Sequence, residues 1–194
     1  MLAAPVIAVA VMLALLPVLG LRLPRARRLA GQLAPPARAI VRAAFLVAIA
    51  GALLLALVQI VVVILVSVFA VSVIWLQEST AYLFAAMFLL GAGGVFLMDG
   101  HVRVDVLSSR WPERRRLGVE LVGIALFLLP VCTLIVLVSA PWAAESWARL
   151  ERSGEPSGLH LVFVLKSLVP TFGVLLALAG FVRAEEAARS LGGS

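Results

Sequence analysis

Residues 43–77, AAFLVAIAGALLLALVQIVVVILVSVFAVSVIWLQ, run for 35 positions without one ionisable side chain. A charge near the centre of a bilayer costs several kcal/mol on insertion scales, so a run of this kind reads as membrane-embedded helix. As one straight helix it measures ~50 Å, against ~30 Å of hydrocarbon. Either the helix tilts and projects beyond the membrane, or its last part, around residues 71–77, bends into the outer interface, where Trp75 suits the headgroup region.

Four further apolar runs flank this one: 2–21, 79–98, 121–144 and 159–182, the last interrupted by Lys166 and Pro170. Run 79–98 ends in the small-residue cluster Gly91, Ala92, Gly93 and Gly94, which permits close helix approach. Pro130 predicts a kink in run 121–144. The expected fold is all-α, a polytopic transmembrane helix bundle. Its parts are an extra N-terminal transmembrane helix (1–21), an Arg-rich cytoplasmic linker (22–42) and a four-helix membrane domain (43–194). The positive charges follow run 2–21 rather than precede it, which is the reverse of a cleavable signal peptide.

Composition agrees. Of 194 residues 63% are hydrophobic and 13% charged, with no room for a sizeable soluble domain beside four or five spans. The net charge of +6 comes from 16 cations, all but Lys166 being arginine. These sit in short connecting segments, which argues for membrane orientation and lipid phosphates and against nucleic acid. One cysteine, Cys132, excludes an internal disulfide, and two histidines leave a His-rich metal or haem site without ligands. Segment 22–42 carries six Arg and no acid, segment 99–116 five Arg and three acids, and segment 145–155 two Arg and three acids. The positive-inside rule therefore puts the first two in the cytoplasm, with Glu78 outside and the C-terminal tail inside.

The densest polar stretch is Asp99-Gly-His101-Val-Arg103-Val-Asp105. As a helix it pairs Asp99 with Arg103 and His101 with Asp105; as extended chain, His101, Arg103 and Asp105 share one face. Such a stretch admits a proton relay, and equally a polar helix end that binds a partner or lipid headgroups. Trp111-Pro-Glu-Arg114-Arg115-Arg116 follows, an interfacial aromatic and a basic cluster for anionic lipid. Lys166 either snorkels to the outer interface or pairs with a carboxylate on a neighbouring helix or subunit. Glu78, among Trp75, Gln77, Thr80 and Tyr82, is either a solvated turn residue or a partner contact. No span carries two buried acids, and no Ser or Cys nucleophile has a nearby base, so a self-sufficient ion-coupled transporter is not expected.

The run Trp75-Leu-Gln-Glu78-Ser-Thr-Ala-Tyr82, then Gly91, then His101-Val-Arg103-Val-Asp105-Val-Leu and Trp111-Pro-Glu-Arg114-Arg115, resembles the small membrane subunit of tripartite ATP-independent periplasmic (TRAP) transporters. Lys166-Ser-Leu-Val-Pro170-Thr-Phe-Gly173 resembles the approach to that family's last span. The resemblance covers roughly 39–182; the departure is run 2–21, since the family usually has four spans. It implies no enzyme activity, no cofactor, and sodium coupling in a larger membrane subunit that moves as an elevator while the small subunit packs against its scaffold. The implied partners are that large subunit, a periplasmic substrate-binding protein delivering an organic acid, and membrane phospholipids, in the bacterial inner membrane. Trp75, Glu78, Tyr82, Asp99, His101, Arg103, Asp105, Arg114, Arg115 and Lys166 are the candidate partner or headgroup contacts, and none is given a catalytic role. Two rivals are a structural or assembly subunit of another membrane complex, and a lipid-directed enzyme built on Asp99, His101 and Asp105.

Overall fold

The computed structural model describes residues 3–21, 23–98, 100 and 111–192. Five helices carry them: α1 (Ala3–Gly20), α2 (Pro24–Ser67), α3 (Ile74–Leu97), α4 (Glu113–Arg149) and α5 (Val162–Gly192). There is no strand among the described residues. The helices α2 to α5 are each long and apolar enough to cross a membrane, so the chain is a polytopic all-α bundle with four such helices.

The 35-residue apolar run divides. Helix α2 stops at Ser67, residues 68–73 form a non-helical turn, and α3 begins after the extended Val73. Ala70 adopts φ 53°, and the Val71 N–H reaches back to the Leu65 carbonyl at 3.0 Å, closing the helix end. The chain breaks at 68–73, a little before the expected 71–77, and residues 74–77 already belong to α3, which packs back along α2. Gly93 and Gly94 allow that approach: a Cβ on Gly94 would collide with the Phe45 ring, and one on Gly93 would lie 3.1 Å from the Leu175 carbonyl oxygen of α5.

Segment 22–42 differs from expectation. From Pro24 onward it is helical and continuous with the span, in a helix of 44 residues. Pro24 suits a first helical turn, and alanine and arginine are strong helix formers. Ala26, Ala30, Ala34, Ala37 and Val41 fall on one face and are buried. Charge dominates a linear reading of this stretch and hides the small-residue stripe. Pro35 and Pro36, both exposed, withhold the N–H groups that the Gly31 and Gln32 carbonyls would otherwise receive.

The core forms where this stripe meets α4 and α5: Ala30, Ala34 and Ala37 join Leu121, Ile124, Leu129, Phe181, Val182 and Ala184 in one cluster. Helix α1 lies against α2, α4 and α5. Just before Pro130, where a kink is expected, the helix takes a π-helical turn over Ile124–Leu128 in which the Leu129 N–H bonds to the Ile124 carbonyl. Pro130 cannot donate to the Leu126 carbonyl, and the preceding turn widens instead.

Candidate functional site

A dense set of described polar contacts lies at the end of the bundle where the start of α3 meets the 150–161 loop. Glu78 sits early in α3 and is half-buried. Its two carboxylate oxygens hold the loop: Ser153 Oγ donates to Oε1, and the Leu159 N–H donates to Oε2 at 2.6 Å. Inside the loop the Ser153 N–H bonds to the Leu159 carbonyl at 3.0 Å, the Gly158 N–H to the Glu155 carbonyl at 3.0 Å, and the Glu155 N–H to Ser153 Oγ at 3.2 Å. A Cβ on Gly158 would stand 2.6 Å from Ser153 Cβ and 2.7 Å from Glu78 Oε2, so a larger residue there would push the two anchors apart. The loop leaves α4 through Leu150 at φ 45°.

A second anchor lies beside it. Lys166 Nζ donates to Glu151 Oε2 at 2.5 Å and stands 4.5 Å from the centroid of the Trp142 ring. The ammonium thus has both a carboxylate and an aromatic face. The Glu151 carboxyl is held below its ordinary value, first by the hydrogen bond from Lys166; Ser146 Oγ adds a smaller pull from a position that completes no well-formed hydrogen bond. Trp147 Nε1 donates to Ser167 Oγ at 2.7 Å, and its ring tilts on Phe163 at 4.5 Å.

At the opposite end of the bundle the ion pairs are Arg183–Glu120 at 2.7 Å, Arg38–Glu186 and Arg189–Glu185, the last with a buried carboxylate. Arg114, Arg115 and Arg116 are exposed, with Arg115 4.7 Å from the Trp111 ring centroid.

Of the residues singled out in the sequence, Glu78 and Lys166 lie at the same end of the bundle, each joined to the 150–161 segment, and Lys166 finds its carboxylate within its own chain. Trp75 is exposed. The Tyr82 hydroxyl is buried with no hydrogen-bond partner among the described residues. Asp99, His101, Arg103 and Asp105 lie outside the described residues. Sequence reading missed Glu151, Ser153, Gly158 and Trp142; the Ser-Gly-Glu-Pro-Ser-Gly composition of 153–158 marks a turn, but nothing in it points across 75 residues to Glu78. The arrangement ties helices together and holds no nucleophile–base pair. Among the described residues no three of His, Cys, Asp and Glu are grouped to hold a metal ion.

Residues 60–190 match the family described as tripartite ATP-independent periplasmic transporters, DctQ component. No curated protein and no solved structure compared with the chain matches it.

Proposed function

The chain belongs to the DctQ component family of tripartite ATP-independent periplasmic transporters, and from that premise we propose that it is the small permease subunit that braces the scaffold of a larger transport subunit. The complex takes up organic acids delivered by a periplasmic binding protein and driven by sodium, with the coupling ions bound in the large subunit. It resides in the bacterial inner membrane with the arginine-rich end of the bundle in the cytoplasm, as the positive-inside rule requires.

The observation that supports this reading is the distribution of acids along the spans. Helix α2 has none, α3 has only Glu78 in its first turns, and the glutamates of α4 and α5 stand near the two ends. Carriers place ionisable groups and broken helices near the midplane, and these spans instead present apolar sides such as Leu53, Leu57, Phe84, Phe88 and Leu134. A subunit built this way acts through its lateral surfaces.

Uptake by proteoliposomes tests the reading. The large subunit and its binding protein, given a sodium gradient, are expected to accumulate substrate only when this chain is co-reconstituted. Full-rate uptake by the large subunit without it would contradict the proposed role.

A further inference from the structure

The arginine-rich end of the bundle is built from the C-terminal half of α1, the first turns of α2, the start of α4 and the end of α5. Pro17 and Gly20 of α1 line a small crevice there with Arg27, Ala30, Ala188 and Gly192. Three of the glutamates at this end are held in ion pairs with Arg183, Arg38 and Arg189. Arg25, Arg28, Arg42, Arg114 and Arg116 are exposed, and no ion pair joins them to a carboxylate of the described residues. Between these arginines the same end exposes Leu23, Leu29, Leu33 and Ile40, each by 41 to 53%. Residues 1–77 hold six arginines and no acid.

Helix α2, at 44 residues, is ~66 Å long and exceeds the ~40–45 Å of a bilayer with its headgroups. Its first turns must therefore either stand in water or lie at the membrane surface. Helix α1 decides between them. No charged side chain occurs from position 3 to 21, and Ile7 and Val11 line an open cleft of about 390 Å³ with Leu129, Pro130, Thr133 and Leu134, in the middle of the α4 span. From that level in the hydrocarbon α1 runs to the Arg27 crevice, exposing Leu15 and Leu19 on the way. The apolar side chains that α1 exposes down to this crevice favour the second placement for the first turns of α2. Leucines and arginines exposed side by side are the makeup of a helix lying in the interface.

We propose that this end of the molecule is a platform for anionic phospholipid. The exposed leucines of α1 and of the first turns of α2 lie at the boundary of headgroups and acyl chains, and Arg25, Arg28, Arg42 and Arg114 hold lipid phosphates. The cations lie on two helices, α2 and α4, and are spread along α2 from Arg25 to Arg42, more widely than a single acidic partner helix would engage. Helix α1 and the arginine-bearing turns of α2 precede residue 60, where the family match begins.

Cys132 is buried and is the one cysteine, so a Cys132→Ala background accepts nitroxides at Leu29→Cys and Leu33→Cys. The chain is purified with its native membrane partner and placed in phosphatidylcholine vesicles with or without phosphatidylglycerol. In the phosphatidylglycerol vesicles, collisions with oxygen are expected to exceed those with a water-soluble nickel chelate. Each arginine near the surface favours an anionic leaflet about fivefold, the equivalent of ~1 kcal/mol. The Arg25→Gln/Arg28→Gln/Arg42→Gln variant is therefore expected to retain at least ~10-fold less phosphatidylglycerol on purification. Nickel collisions dominating in both vesicles would place this end in water and overturn the proposal. Labels shielded from both probes would show that protein covers it, which overturns it equally. The label measurement needs no arginine substitution, so it decides even where the triple variant fails to assemble, and it reads lipid contact whether or not the complex transports.

Discussion

Glu78 accepts a hydroxyl and a backbone N–H on its two oxygens, and the groups it serves lie 75 and 81 positions away. Glu78→Ala removes the acceptor of both donors and so loosens the loop. Amides of the 150–161 loop in the purified complex are expected to exchange ~10- to 100-fold faster in this variant; unchanged protection would mean that the loop is held by other contacts. Beside it, the Lys166–Glu151 pair has a sign that follows from its chemistry. The Glu151 carboxyl titrates below its ordinary 4.5 in the folded chain, so the pair contributes at every pH above 4.5 and is lost as pH falls through the lowered value. With the Glu151 side chain 38% exposed, solvent screening keeps the contribution of the pair small. Melting of the complex should stay flat from neutral pH down to 4.5 as far as this pair is concerned, and Lys166→Met should remove an acid-side loss that the unsubstituted chain shows. The residue types of both anchors were visible in the sequence as outliers in apolar surroundings. Their partners were not, because a hydrogen bond across 75 positions leaves no mark in local periodicity.

At the scale of the helix, charge-free runs located the spans because the cost of a buried charge acts position by position and needs no knowledge of neighbours. The same property made the ends illegible. Residues 68–73 are as apolar as the helix before them, and only the folded chain shows the turn with Ala70 at φ 53°. Segment 22–42 failed for the opposite reason: its arginines announced a linker, while the alanines spaced along one face built a helix against α5. The glycines separate cleanly by what surrounds them. A Cβ at Gly94 would enter the Phe45 ring between α2 and α3, whereas Gly118 in α4 has nothing within 4 Å. Gly94→Ala is therefore expected to destabilise the bundle by ~1–3 kcal/mol through overpacking. Gly118→Ala should be neutral or stabilising by up to ~1 kcal/mol, since alanine is the better helix former. Thermal unfolding of the two variants in one detergent checks the pair, and equal melting would mean that the α2–α3 contact does not depend on close approach.

For the whole molecule, the four membrane-length helices carry their ion pairs near the bundle ends and no acid near their middles. Membership in the DctQ family gives that layout a context, since a member of a tripartite transporter acts beside other subunits. The resemblance read from the sequence rested heavily on His101, Arg103 and Asp105, which lie outside the described residues, while Glu78 and Lys166 stand at one end of the bundle, each joined to the 150–161 segment. Mild-detergent purification of the tagged chain from its native membrane, with mass spectrometry of what accompanies it, tests the central claim most directly. One large polytopic membrane protein recovered in about equal amount is the predicted result. Recovery of the chain alone, or together with redox or lipid-synthesis subunits, would contradict the account.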